Sequence, residues 1–362
     1  MKAFIFLIIS IILVPFSHLV SAHQIGFSQL QLTQNPERIL DISLWYPTAK
    51  RSQLSQSKTT SDTLKRVLIA DNIAFKGTQV IKNAPLLIQT SKAGDTPKRP
   101  LVLLSHGYRG SWRNLNWLAS KLVQEGFIAV AVNHPGTTTF NTSATQAAKW
   151  WERPNDIKRT LDYLLNDSIW QQDIDKNTIS AIGHSLGGWT VMQLVGAEFN
   201  REDYLAGCET LASFRSCQIK EELGLAFKQN NEPESTQLVD NRIKSAIILD
   251  LGLARSFSQT SLNKINSPVL ILAAGVDIGD LPQAQESGFL AEHLNLKNRR
   301  YKVYEKATHF SFMQECKPNA IAILEEESKG DGIICKDGVG STRAALHDTM
   351  FEDILAFLKQ EG

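Results

Sequence analysis

The run Ala181-Ile182-Gly183-His184-Ser185-Leu186-Gly187-Gly188 constrains this chain more than any other segment, because it sets a serine between two glycines where an apolar strand meets a helix-forming stretch. The residues from Asn177 to Ile182 read as a short buried strand, and Trp189-Thr-Val-Met-Gln-Leu-Val-Gly-Ala carries apolar residues at helical spacing. A tight strand-to-helix turn leaves no room for side chains at Gly183 and Gly187. It lifts the serine hydroxyl above a sheet, where a base can reach it and the helix N-terminus favours developing negative charge.

A hydroxyl that attacks an acyl carbon needs a base for its proton, a carboxylate to orient that base, and donors for the resulting oxyanion. The chain holds eight histidines. His184 lies inside the elbow motif, His106 precedes the Gly107 turn and His347 falls on the last helix, whereas His309 follows the strand-like Tyr301-Lys-Val-Tyr-Glu-Lys-Ala-Thr and is the expected base. Chain order of nucleophile, acid and histidine makes Asp277, after Val269-Leu-Ile-Leu-Ala-Ala-Gly-Val, the expected acid, with Asp250 at the end of the preceding strand as the alternative. The expected oxyanion donors are the amides of Leu186, next to the nucleophile, and of Tyr108, in His106-Gly107-Tyr108-Arg109-Gly110. Phe310, Phe312, Trp150 and Trp151 are candidate apolar walls, and aromatics of this kind are equally at home in a core.

At 362 residues, 43% hydrophobic and 21% charged, the chain is long enough for one large core with insertions. From Arg99 onward, apolar strands alternate with helical segments. Leu101-Val-Leu-Leu-Ser and Phe127-Ile-Ala-Val-Ala-Val flank a helix from about Leu115 to Gln124, and Asp156 to Leu165 is an amphipathic helix. Ile243 to Leu249 is a further strand, and Ser341 to Lys359 a closing helix. The alternation implies an α/β domain over 99–362 with a mostly parallel sheet and helices on both faces. Residues 23–98 read as N-terminal strands and a loop, with Lys50 to Asp62 polar throughout. The polar stretch 199–241 interrupts the alternation and reads either as a cap or lid or as a solvent-facing elaboration.

Lys2, an apolar run from Ala3 to Phe16 and small residues at Val20-Ser21-Ala22 form a secretory signal over 1–22, with cleavage expected before His23 and export to the periplasm or beyond. Loss of Lys2 takes the formal charge from +1 to 0, which supplies no cationic excess for nucleic acid. No later segment is apolar enough to insert stably in a membrane. Four cysteines in an exported chain imply two disulfides. Of the three pairings, proximity favours Cys208 with Cys217 and Cys316 with Cys335. Neither a metal nor another cofactor is expected, since metal-ligand spacings and a nucleotide-binding glycine loop are both lacking. The expected partner is a small-molecule or lipid ester, and nothing in the pattern specifies an oligomer.

Leu44-Trp-Tyr-Pro, Leu104-Ser-His-Gly-Tyr, Val132-Asn-His-Pro-Gly, Gly183-His-Ser-Leu-Gly-Gly, His309-Phe-Ser-Phe and the Cys316 to Cys335 pair stand in an order that resembles the secreted α/β-hydrolases called predicted dienelactone hydrolases, themselves similar to platelet-activating factor acetylhydrolases. The resemblance implies an α/β-hydrolase fold and a serine esterase or lipase-like activity, with Ser185, His309 and the amides of Tyr108 and Leu186 in the roles above. In the acetylhydrolase branch the acid follows the earlier strand, matching Asp250; most related hydrolases use the later one, matching Asp277. True dienelactone hydrolases carry a cysteine nucleophile where this chain has Ser185, so the family label does not name a substrate. A peptidase or amidase on the same fold and a non-catalytic binding protein are the alternative functions.

Overall fold

The computed structural model describes residues 23–48, 65–87 and 98–361. The signal over 1–22 and the whole polar stretch from Lys50 to Asp62 lie outside these residues. The described strands are β1 (Gln24–Leu32), β2 (Leu40–Thr48), β3 (Arg66–Ile69), β4 (Thr78–Lys82), β5 (Arg99–Ser105), β6 (Ile128–Asn133), β7 (Ile174–His184), β8 (Ser245–Leu249), β9 (Val269–Val276) and β10 (Arg299–Thr308). They form one sheet in the order β10-β9-β8-β7-β5-β6-β2-β1-β4-β3. From β6 to β10 every neighbouring pair is parallel. β2 joins β6 antiparallel and β1 pairs antiparallel with β2, so the N-terminal strands continue the sheet of the later ones.

Strands buried on both faces read as unbroken apolar runs. In β5, Leu101 and Leu103 enter one core while Val102 and Leu104 enter the other, the period-two alternation of a strand. Helices α1 (Asn116–Gln124), α2 (Glu152–Asn166), α3 (Leu186–Leu194), α4 (Arg201–Thr210) and α5 (Arg343–Glu361) supply much of the covering. Leu118 and Leu122 of α1 and Met350, Ile354 and Phe357 of α5 pack on one face. Ile157, Leu161 and Leu164 of α2 and Trp189 and Met192 of α3 pack on the other. Every residue of α3 is buried, consistent with a helix apolar on all sides that sits at the centre of the fold.

The insertion between α3 and β8 contains α4 and the Cys208–Cys217 disulfide. It reaches the loop after β5 through an Arg109–Glu222 ion pair at 3.2 Å, and the loop after β9 through Arg215 N–H to Asp280 O at 3.0 Å. Gln229 Nε2 also donates to Ala148 O at 2.6 Å. The second disulfide joins Cys316 to Cys335, beyond β10. Both pairings are those that proximity favours. No described helix is long and apolar enough to cross a membrane.

Candidate active site

β7 passes into α3 through a single residue, Ser185, at φ +55° and ψ −122°. A non-glycine residue in such a conformation costs on the order of 1–3 kcal/mol and must be held by its surroundings. Ser185 N–H donates to Leu249 O at 3.0 Å, while its carbonyl accepts from Gly188 N–H at 2.9 Å. The flanking glycines are sterically required: a Cβ on Gly183 would stand 2.1 Å from Gly187 O, and one on Gly187 would stand 2.0 Å from Ser105 O. Serine at a helix N-cap ordinarily turns its hydroxyl onto the first-turn amides. Ser185 makes no such bond, so its half-buried hydroxyl is not tied up in capping.

His309, just past β10, places Nδ1 at 2.7 Å from Asp250 Oδ2. Asp250 is buried at the end of β8 with φ +45°, and its other oxygen accepts from Ala274 N–H at 2.8 Å. The expectation that Asp277 meets the histidine is therefore corrected. β8 ends level with Leu272 of β9, and β9 continues to Val276, so Asp277 is carried past the sheet into an exposed loop. There its carboxylate accepts from Leu281 N–H at 3.2 Å.

The turn that carries His309 is held by its own carbonyls. His184 Nε2 lies 2.9 Å from His309 O, Trp117 Nε1 donates to Phe312 O at 2.9 Å, and His347 Nε2 lies 3.0 Å from Ser311 O and 2.9 Å from Met313 O. Burial lowers the pKa of both His184 and His347 to about 3. They are neutral donors with the proton on Nε2. His184 also packs its ring 4.8 Å from that of His309, which couples the elbow to the histidine turn.

Gly107 abuts the elbow, where an added Cβ would lie 3.1 Å from Ser185 Cβ. The Gly107 carbonyl accepts from Gly110 N–H at 3.0 Å and His106 Nδ1 at 2.7 Å. In a trans peptide the N–H points opposite to the C=O, so the anchored Gly107 carbonyl turns Tyr108 N–H the other way. Neither Tyr108 N–H nor Leu186 N–H donates to a backbone acceptor among the described residues. Of the candidate walls, Phe312, Trp150 and Trp151 are buried in the core and Phe310 is half-buried. No cluster of three or more His, Cys, Asp or Glu fit for a metal is gathered among the described residues.

Four buried residues that sequence reasoning passed over, Arg38, His134, Arg153 and Asp156, form a polar network beneath His106 and Gly107. A signal was present on α2, where Arg153 and Asp156 share the helix face of Ile157, Thr160 and Leu161. Charges on an apolar face are an informative exception to ordinary burial.

The buried Glu286 accepts from Ala254 N–H at 2.7 Å with one oxygen, while the other has no hydrogen-bond partner among the described residues. Burial raises its pKa from 4.5 to about 7. Between these values the unfolded chain has released this proton and the folded protein retains it. The contribution of Glu286 is therefore fully present below pH 4.5 and is lost as pH rises through 7, by roughly 3 kcal/mol. Glu286→Gln is expected to remove that component. Denaturant midpoints at pH 4.5 and 8 should converge in the variant relative to wild type, and an unchanged pH slope would show that the group does not titrate as described.

No family model matches the chain, and no curated protein matches it. Among solved structures it is similar to a ferulic acid esterase from Streptomyces cinnamoneus, with a TM-score of 0.57 and 18% identity over 93% of this chain and 90% of that one. The shared architecture is the α/β-hydrolase fold.

Proposed function

We propose that this protein is an exported serine hydrolase that cleaves carboxylic esters, with Ser185 as nucleophile, His309 as base and Asp250 as orienting acid. The observation that carries the reading is the 2.7 Å contact of His309 Nδ1 with Asp250, beside a serine held at positive φ with its hydroxyl free of capping. A proton on Nδ1 directed at the carboxylate leaves Nε2 as the acceptor for the Ser185 proton. Serine oxygen then bonds to the acyl carbon, and the carbonyl oxygen takes up negative charge facing the Tyr108 and Leu186 amides. Collapse breaks the ester C–O bond, and His309 returns its proton to the leaving alcohol. Water repeats the sequence on the acyl-enzyme and releases the acid.

The chemistry named for the Streptomyces esterase supports the ester class, and the acid's position after β8 fits the acetylhydrolase branch of the resemblance. Two disulfides suit an oxidising compartment and so support export. The ion pair from the insertion to Arg109 supports a role for residues 199–241 as a cap shaping the entrance. The test is incubation of the folded, disulfide-bonded protein with a fluorophosphonate probe, beside p-nitrophenyl esters of increasing acyl length. One adduct on the peptide bearing Ser185, together with turnover that shows a chain-length optimum, is expected. Protein that neither reacts with the probe nor hydrolyses any ester would refute the reading.

A further inference from the structure

We propose that Arg153 is a positioning residue for the oxyanion hole, holding both of its halves from beneath; the proposal rests on the hydrolase reading of Ser185. Arg153 is buried in the first turn of α2 and uses all three guanidinium nitrogens. Nη2 donates to His106 O at 2.5 Å and to Ser105 Oγ at 3.3 Å, at the root of the loop that bears Tyr108. Nη1 donates to Thr137 Oγ1 at 2.6 Å, and the Thr137 carbonyl in turn accepts from Arg109 N–H at 2.8 Å. Nε donates to Thr190 Oγ1 at 2.9 Å, and that hydroxyl donates to Leu186 O at 2.9 Å. One side chain thus reaches the loop on one side of Ser185 and the helix start on the other.

The peptide geometry gives this contact its consequence. With the His106 carbonyl drawn down onto the guanidinium, the Gly107 N–H in the same peptide plane is turned away from it. The Gly107 carbonyl is anchored independently, so two successive peptides have their N–H groups set by their carbonyls. Preorganised donors of this kind need not reorganise when charge develops.

Retaining an arginine at this position is costly on other grounds. A cation in the first turn of a helix opposes the helix dipole, and burial lowers the Arg153 pKa to about 9. Among the described residues no carboxylate forms an ion pair with it. The compensating charge is one step away, at Asp156 on the next turn of α2. That carboxylate accepts from Arg38 Nη2 at 2.7 Å and contacts His134 Nδ1 at 3.0 Å, while His134 Nε2 lies 2.9 Å from Ser105 Oγ. Burial alone would raise the Asp156 carboxyl, but Arg38 and His134 outweigh it and hold the group well below the usual carboxylate range. Burial lowers His134 to about 3, so its ring is neutral and passes no charge to Ser105. The Ser105–His134–Asp156 row has the form of a triad, yet all three side chains are buried, and its serine serves as an acceptor for Arg153.

The test measures kcat and KM for a p-nitrophenyl ester with full-length wild type, Arg153→Met, Arg153→Lys and Ser185→Ala, with circular dichroism on each. Arg153→Met is expected to lower kcat about 100-fold with KM within about threefold, and Arg153→Lys to recover about tenfold of that loss. Affinity for an alkyl boronic acid, which forms a tetrahedral adduct on Ser185, should fall in step with kcat. Should Arg153→Met fail to fold, Arg153→Lys alone decides, with a kcat about tenfold below wild type expected. A folded Arg153 variant with wild-type kcat, or one whose loss lies wholly in KM, overturns the proposal. Wild type without Ser185-dependent turnover refutes the hydrolase reading itself, and is distinguished by being seen before any Arg153 variant is compared.

Discussion

Ser185→Ala is expected to lower kcat for ester hydrolysis by about a million-fold while leaving the fold unchanged. The size follows from the reaction path, because without the hydroxyl no acyl-enzyme forms and only water remains as nucleophile. The absence of a folding defect follows from the geometry. The strain at φ +55° belongs to the backbone and Cβ, which alanine shares, and the elbow is held by Ser185 N–H to Leu249 O, which alanine also makes. The hydroxyl caps nothing, so its removal strands no partner in α3. Kinetics on purified wild type and variant, with matched circular dichroism and thermal midpoints, provide the check. Turnover within tenfold of wild type in the folded variant would place the nucleophile elsewhere.

The elbow was legible in the sequence because everything that defines it is local. Gly183 and Gly187 bracket the serine, an apolar strand precedes it and an apolar helix follows. The parallel sheet was legible from unbroken apolar runs such as Leu101 to Leu104, a pattern that also survives without knowledge of neighbours. The carboxylate partner of His309 was harder to read because it depends on strand lengths across the sheet. Asp250 and Asp277 both end apolar runs, and only the register of β8 against β9 reveals that one is level with the elbow and the other beyond it. The N-terminal strands were legible as strands, but their place in the sheet resisted for a related reason. β2 completes the sheet by pairing with β6, a contact spanning about ninety residues of sequence, from Asp41 to Asn133. The Arg153 network is harder still, since its charges meet groups on β5, the loop after β6 and α3 that no short window contains.

The choice between the two carboxylates gives the second large effect. Asp250→Asn is expected to lower kcat about ten-thousand-fold, whereas Asp277→Asn should stay within about threefold of wild type. In the wild-type site, one Asp250 oxygen accepts from Ala274 N–H and the other faces His309 Nδ1. Asparagine would keep its carbonyl oxygen on Ala274 N–H and so present its NH2 group to Nδ1. That nitrogen must then become the acceptor, which moves the ring proton to Nε2 and leaves no lone pair to receive the Ser185 proton. The imidazolium formed during reaction would also lose the negative charge beside it. Asp277 is exposed and, among the described residues, its carboxylate is bonded only to its own loop, through Leu281 N–H, so its replacement alters neither the tautomer nor the charge near the ring. Parallel kinetics on the two variants, each with a pH profile, separate the assignments. A larger loss in Asp277→Asn than in Asp250→Asn would mean that the loop after β9 rearranges to bring the later carboxylate onto the histidine during turnover.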